Sequence, residues 1–228
     1  MSIGDAWEQH APNWIAWART SSHDLFATGT WPELRAVLPA PTADDLVLEI
    51  GCGEGRVGRE LERLGHRVVG IELSATLARA AKEAEPSFAI ARADAAALPI
   101  IDAAVTVVVA CMALQDIDDL EAAVCEAARV LRPGGQLCVA IVHPFASAQD
   151  LATLDEEQAT VSEPYLRARR YEDPVVRDGL AMTFVSMHRP LSAYMSAFSD
   201  AGFLLTALRE FGRRAIPWLL VARLEKQS

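Results

Sequence analysis

Three glycines at alternate positions, Gly51, Gly53 and Gly55, stand between the apolar run 46–50 and a helix-like segment that starts at Arg56. Glycines there let the backbone turn sharply and leave no Cβ in a ligand's way. The free N–H groups of a helix start can meet an anionic group. Together these features make a nucleotide-type site at the carboxyl end of a strand. Two registers fit. Residues 53–58 satisfy G-x-G-x-x-G, and residues 51–55, preceded by Glu49, satisfy another. Glu72 and Asp94 end the next two strand-like runs. His143 ends a later one, and His188 lies in Met187-His188-Arg189-Pro190. Both histidines are candidate bases or substrate contacts, with a structural role as the alternative.

The elements that must position these residues alternate as in an α/β protein. Strands are expected over 46–50, 66–71, 86–91, 103–110 and 136–142. Helices are expected over 56–64, 75–82 (capped by Ser74) and 118–130, where Asp118 and Glu121 suggest a capping box. A helix over 191–200 and two antiparallel strands over 203–210 and 218–224 close the chain. Residues 3–19 read as helical with a break near Pro12. Trp7, Trp14 and Trp17 fall on one face of it, as packing residues or as a lid. A short helix over 31–38 follows. Residues 143–190 lack this rhythm and read as an inserted loop or small subdomain.

With 228 residues, one domain can bury a full core. A net charge of −10 argues against a nucleic-acid binder and against adsorption to anionic membranes. No apolar run reaches the roughly 18–20 residues that span a bilayer, and no signal peptide is visible, so a cytoplasmic location is expected. The four cysteines form no C-x-x-C pair and read as small buried hydrophobes, so no metal is expected.

Glu72 lies about 20 residues past the glycines, as a dinucleotide site also requires. Three features separate the registers. Glu49 interrupts an otherwise apolar strand, Asp94 ends the following strand, and the sheet closes with a β–β pair. The motifs Leu48–Gly55, Gly70-Ile71-Glu72-Leu73-Ser74, Ala93-Asp94-Ala95 with Leu98-Pro99, and Arg129–Gly135 occur in order at 44–142. With 188–224 they resemble a class I S-adenosylmethionine (AdoMet) methyltransferase of the small-molecule type, akin to methyltransferase domain 11. The resemblance implies a Rossmann-like seven-stranded, mostly parallel sheet with an antiparallel last strand and helices on both faces. It also implies an N-terminal helical lid and an insertion after strand 5. The expected division of a single 1–228 domain is a lid (1–40), an AdoMet-binding half (41–142), a substrate-side insertion (143–190) and a C-terminal helix and hairpin (191–228).

The same resemblance implies a cofactor site. Gly51, Cys52 and Gly53 would lie under the methionine part of AdoMet, with Glu49, Cys111 and Met112 beside it. Glu72 would take both ribose hydroxyls, which a carboxylate can accept. Leu73 would pack on the adenine, and Asp94 with the Ala95 N–H would bind its edge. Trp14 matches a family helix that folds over the cofactor, usually with tyrosines. Gln115-Asp116 falls where many relatives carry a His-containing pair, and Gln115 has no useful basicity.

Methyl transfer from a sulfonium is an in-line displacement that needs alignment and water exclusion more than acid–base help. Expected acceptor-side residues are Trp17, His143, Phe145, Tyr165, Tyr171 and His188, around a largely apolar pocket. Arg167, Arg169 and Arg170 are a solvated face or a site for an acidic substrate. The expected partner is a small, partly apolar or aromatic molecule methylated at O or N, by a monomer or dimer. The alternatives are an NAD(P)-binding oxidoreductase and a non-catalytic AdoMet-binding module.

Overall fold

The computed structural model describes residues 1–20, 23–149, 164–212 and 216–227. Residues 150–163 of the expected insertion therefore lie outside the described residues. A seven-stranded sheet carries the fold, in the order β3-β2-β1-β4-β5-β9-β8. Its strands are β1 (Val47–Ile50), β2 (Val68–Glu72), β3 (Ala89–Arg92), β4 (Val105–Cys111), β5 (Leu131–Val142), β8 (Phe203–Phe211) and β9 (Leu219–Lys226). The first five run parallel, and β9 is antiparallel to both β5 and β8. The Rossmann-like sheet expected from the motifs is therefore the one observed.

β1 is buried at all four positions, as a parallel strand covered on both faces must be. Its alternate residues feed two cores. Leu48 and Ile50 join the core under α5 (Leu120–Val130) and α7 (Leu191–Asp200). Val47 points to the other, against α2 (Trp31–Arg35) and α3 (Arg56–Arg63). α4 (Ala75–Ala84) is capped by Ser74, whose Oγ accepts from the Leu77 N–H at 3.1 Å. α5 differs from expectation. Asp119 is its N-cap, accepting from the Ala122 N–H, and Asp118 instead accepts from the Ile3 N–H at 3.1 Å.

α1 (Ile3–Arg19) is continuous through Pro12, where a break was expected. Anchors on both sides of Pro12 hold it. A Ser2–Asp5 capping box starts the helix. Glu8 accepts from the Ser74 and Thr76 hydroxyls, and Arg19 reaches the Glu54 carboxylate and the Ala80 carbonyl. One lost backbone bond is outweighed by this docking.

The segment read as an irregular insertion contains the short helix α6 (Pro144–Ser147) and a separate antiparallel ribbon. The ribbon pairs β6 (Arg169–Arg177) with β7 (Leu180–His188) in unbroken register. Its two-residue turn is Asp178-Gly179, both at positive φ (50° and 78°), as a type I′ hairpin requires.

Candidate functional site

The strand order reverses between β1 and β4. Connections from their carboxyl ends diverge there, and the crevice left between them is where open α/β sheets bind ligands. A cavity of about 420 Å³ occupies that point. The glycine loop forms its floor, with Gly51, Gly53 and Gly55 at φ of 65°, 57° and 85°. A Cβ at Gly51 would stand 2.7 Å from that of Ala113, so the loop cannot carry a side chain there. Glu54 turns under the loop, nearly fully buried. It accepts two bonds from Arg59, at 2.8 and 2.9 Å, and one from Arg19, at 3.1 Å, tying the loop to α3 and α1.

Glu72 lies at the centre of the residues expected around the cofactor. Its Oε2 accepts from the Gly53 N–H and its Oε1 from the Ser74 N–H, both at 2.8 Å. Each carboxylate oxygen retains acceptor capacity beyond that one bond. Burial raises its pKa, and the amide hydrogen bonds oppose the rise. Glu49 is buried beside α3, where a Cβ on Gly58 would lie 2.9 Å from its Oε2. That Oε2 has no hydrogen-bond partner. Burial first, then the Glu72 charge, push the Glu49 carboxyl well above the usual range. Burial likewise pushes the Cys111 thiol up to about 12, so it is no thiolate nucleophile. Asp94 does not cap a helix. Its Oδ1 accepts from the Ala96 N–H at 2.9 Å, closing a turn that presents the 93–96 backbone to the cavity. Met112 holds a left-handed φ of 53° while its N–H bonds the Ala140 carbonyl at 2.7 Å. Such strain in a non-glycine residue persists only where neighbours impose it.

All eleven residues expected around the cofactor line this one cavity: Trp14, Glu49, Gly51, Cys52, Gly53, Glu72, Leu73, Asp94, Ala95, Cys111 and Met112. The acceptor-side expectations fare differently. Only Tyr171 lines the cavity. His143 follows Val142, which does line it, but strand alternation turns the ring away. Its Nδ1 accepts from the Phe145 N–H at 3.0 Å, so its Nε2 is the nitrogen that donates, to Glu210 at 2.9 Å. His188 has a similar arrangement. Nε2 must donate to the Tyr165 carbonyl, leaving Nδ1 to accept from Ser147, each at 2.8 Å. Both rings are fully buried, burial lowers both pKa values, and neither has a free lone pair for a substrate proton. Their assignment as bases is corrected to structural hydrogen bonding. Phe145 stacks between His143 and Tyr165, and the Tyr165 hydroxyl accepts from the Leu191 N–H. Trp17 is buried against His23 and Phe184. These three also leave the expected acceptor site.

The rest of the cavity wall comes from the ribbon and from the turn after β4. Tyr171 and Asp173 on β6 pair with Ser186 and Phe184 on β7, and all four line the cavity. The Ser186 hydroxyl donates to Asp116 at 2.6 Å. Trp7 and Trp14, one heptad apart, complete the wall in edge-to-face contact, and Trp7 donates to the Val185 carbonyl.

The family model described as a methyltransferase domain matches residues 48–139, which contain the glycine loop, Glu72, Asp94 and Asp116. The malonyl-[acyl-carrier protein] O-methyltransferase of Hamiltonella defensa is 33% identical over 169 residues, 73% of this chain and 62% of that protein. Residues 48–139 carry this methyltransferase domain, and the chain is similar to class I AdoMet-dependent methyltransferases. Demethylmenaquinone methyltransferase of Tropheryma whipplei is 30% identical over 111 residues, 48% of this chain and 46% of that protein. The chain thus spans less than two thirds of the length of both curated relatives. An S-adenosylmethionine dependent methyltransferase from Mesorhizobium loti, known from its crystal structure, shares the methyltransferase fold. Its TM-score is 0.70 at 23% identity, covering 89% of this chain and all of that one.

Proposed function

We propose that this methyltransferase moves a methyl group from AdoMet to an O or N atom of a small, partly apolar or aromatic molecule. The observation that carries the reading is Glu72, a buried carboxylate anchored by two backbone N–H groups at the rim of the glycine-floored cavity. The residues fit the cofactor. Glu72 has spare acceptor capacity for a ribose diol, and the glycine loop beside it leaves room for a ligand's close approach.

In this reading Glu72 holds the ribose hydroxyls, and the Asp94–Ala95 turn meets the adenine edge over Leu73. The loop 51–53, with Cys111 and Met112, packs along the methionine part. Bound AdoMet supplies an electrophilic methyl on a sulfonium. The chain's own work is alignment and exclusion of water, by Trp7, Trp14 and Phe184 above the cavity. The named relatives act on a malonyl group attached to acyl-carrier protein and on demethylmenaquinone. Those acceptors differ so much in charge and size that neither transfers to this chain by similarity alone.

Calorimetric titration with AdoMet and with NAD, then mass analysis of acceptor mixtures, tests the reading. AdoMet binding without NAD binding, and products heavier by one methyl, are expected. NAD binding alone would restore the oxidoreductase reading, and AdoMet binding with no methylated product would leave a binding module.

A further inference from the structure

We propose that the methyl acceptor is an amine, its N–H groups received by Gln115 and Asp116 and its positive charge facing Asp173. This rests on the methyltransferase reading and narrows its acceptor to one chemical class. Gln115 is 3% exposed and lines the cavity, yet its Oε1 is buried with no partner. Its amide nitrogen faces Asp116 Oδ2 at 3.5 Å, which leaves the carbonyl oxygen as the end that needs a donor. Asp116 Oδ1 takes the Ser186 hydroxyl, while Oδ2 has only that long contact with Gln115. The acceptor side of the cavity therefore offers hydrogen-bond acceptors that lack donors, the complement of N–H groups.

Charge points the same way. Asp116 and Asp173 both line the cavity, and burial pushes both carboxyls up. Among the described residues lining it, Arg56 is the sole arginine or lysine. Arg56 is ion-paired with Asp24 at 2.5 Å and lies over the rings of Trp14 and Phe26. Arg189, packed behind Asp116, donates to the carbonyls of Leu114, Ile117 and Asp118. A carboxylate acceptor would meet these acids with no free cation to receive it. An ammonium group would relieve the cost of burying them.

The step balances. The ammonium form of the acceptor gives one proton to the Asp116 carboxylate, which frees the nitrogen lone pair. That pair forms the N–C bond as the methyl–sulfur bond breaks, and the electron pair of the broken bond returns to sulfur, leaving a neutral thioether. The product leaves as a methylated ammonium, and Asp116 returns its proton to solvent.

Matched head-group sets test this on the full chain. Phenethylamine, 2-phenylethanol and phenylacetate share one body, and the corresponding indole and n-hexyl sets vary it. Each compound is titrated in the presence of S-adenosylhomocysteine and then incubated with AdoMet for mass analysis. In at least one set the amine should bind about tenfold or more tighter than the alcohol, and tighter still than the carboxylate. It should also gain one methyl on nitrogen. Asp116→Asn and, separately, Gln115→Leu should erase the amine preference while AdoMet affinity holds. A preference for alcohol or carboxylate, no head-group preference in any set, or an amine preference that survives both variants overturns the inference. Loss of AdoMet binding by the unaltered chain would instead bring down the parent reading.

Discussion

A buried acid without a full set of partners works against the fold, and Glu49 is the clearest case. Its carboxyl binds a proton more tightly in the folded chain than in the unfolded one, because burial and the Glu72 charge disfavour ionisation. The native state therefore holds more protons than the unfolded state above the ordinary value of 4.5, and stability falls as pH rises through that window. Glu49→Gln removes the titration and keeps the shape. Its melting temperature without cofactor should exceed that of the parent by roughly a few degrees at neutral pH, a gap that closes toward acid. Thermal scans across pH check this, and a gap independent of pH would contradict it. Glu49 was legible in sequence because it interrupts an apolar strand, and Glu72 and Asp94 because strand ends and motif spacing place them. His143 and His188 misled for a physical reason. A buried imidazole must satisfy both nitrogens, and sequence does not show that Phe145, Glu210, Ser147 and Tyr165 do so.

At the scale of elements, the ribbon β6–β7 and the helix α1 wall the cavity on the side proposed for the acceptor. The ribbon's register is set by its turn, since a slip of one residue would turn Tyr171, Asp173, Phe184 and Ser186 away from the cavity. Gly179 sits at φ 78°, where a β-branched residue is strained by about 1–2 kcal/mol. Gly179→Val should therefore raise the acceptor KM with little change in AdoMet affinity. Steady-state kinetics beside calorimetry checks this, and equal losses in both would tie the ribbon to cofactor binding instead. α1 is fastened to α4 through Glu8, whose pKa is lowered by the Ser74 and Thr76 hydroxyls. Glu8→Ala should speed hydrogen exchange along α1 and leave the central sheet protected, and unchanged exchange would contradict this anchoring role. The central strands could be read from apolar runs alone. The ribbon could not, although Asp178-Gly179 was a usable hairpin signal. β6 is polar and mostly exposed, and β7 is apolar at consecutive positions, so neither shows a clear period-2 pattern. The uninterrupted α1 was likewise hidden, because docking overrides the local cost of Pro12.

For the whole molecule, the sheet reversal between β1 and β4 puts the proposed cofactor half and the proposed acceptor half on one cavity. The cofactor half rests on backbone turns and strand ends, which is why its motifs read so directly from the chain. The acceptor half depends on pairings across distant segments, and so it emerged only with the fold. Among the described residues no helix is long and apolar enough to cross a membrane. The central claim is an AdoMet site organised by Glu72, and calorimetric titration of AdoMet into the parent chain and Glu72→Ala tests it most directly. The account predicts one site per chain, weakened in the folded variant by about 1.5–3 kcal/mol, or roughly ten- to a hundredfold. No binding to the parent chain, or equal affinity in the folded variant, would contradict it.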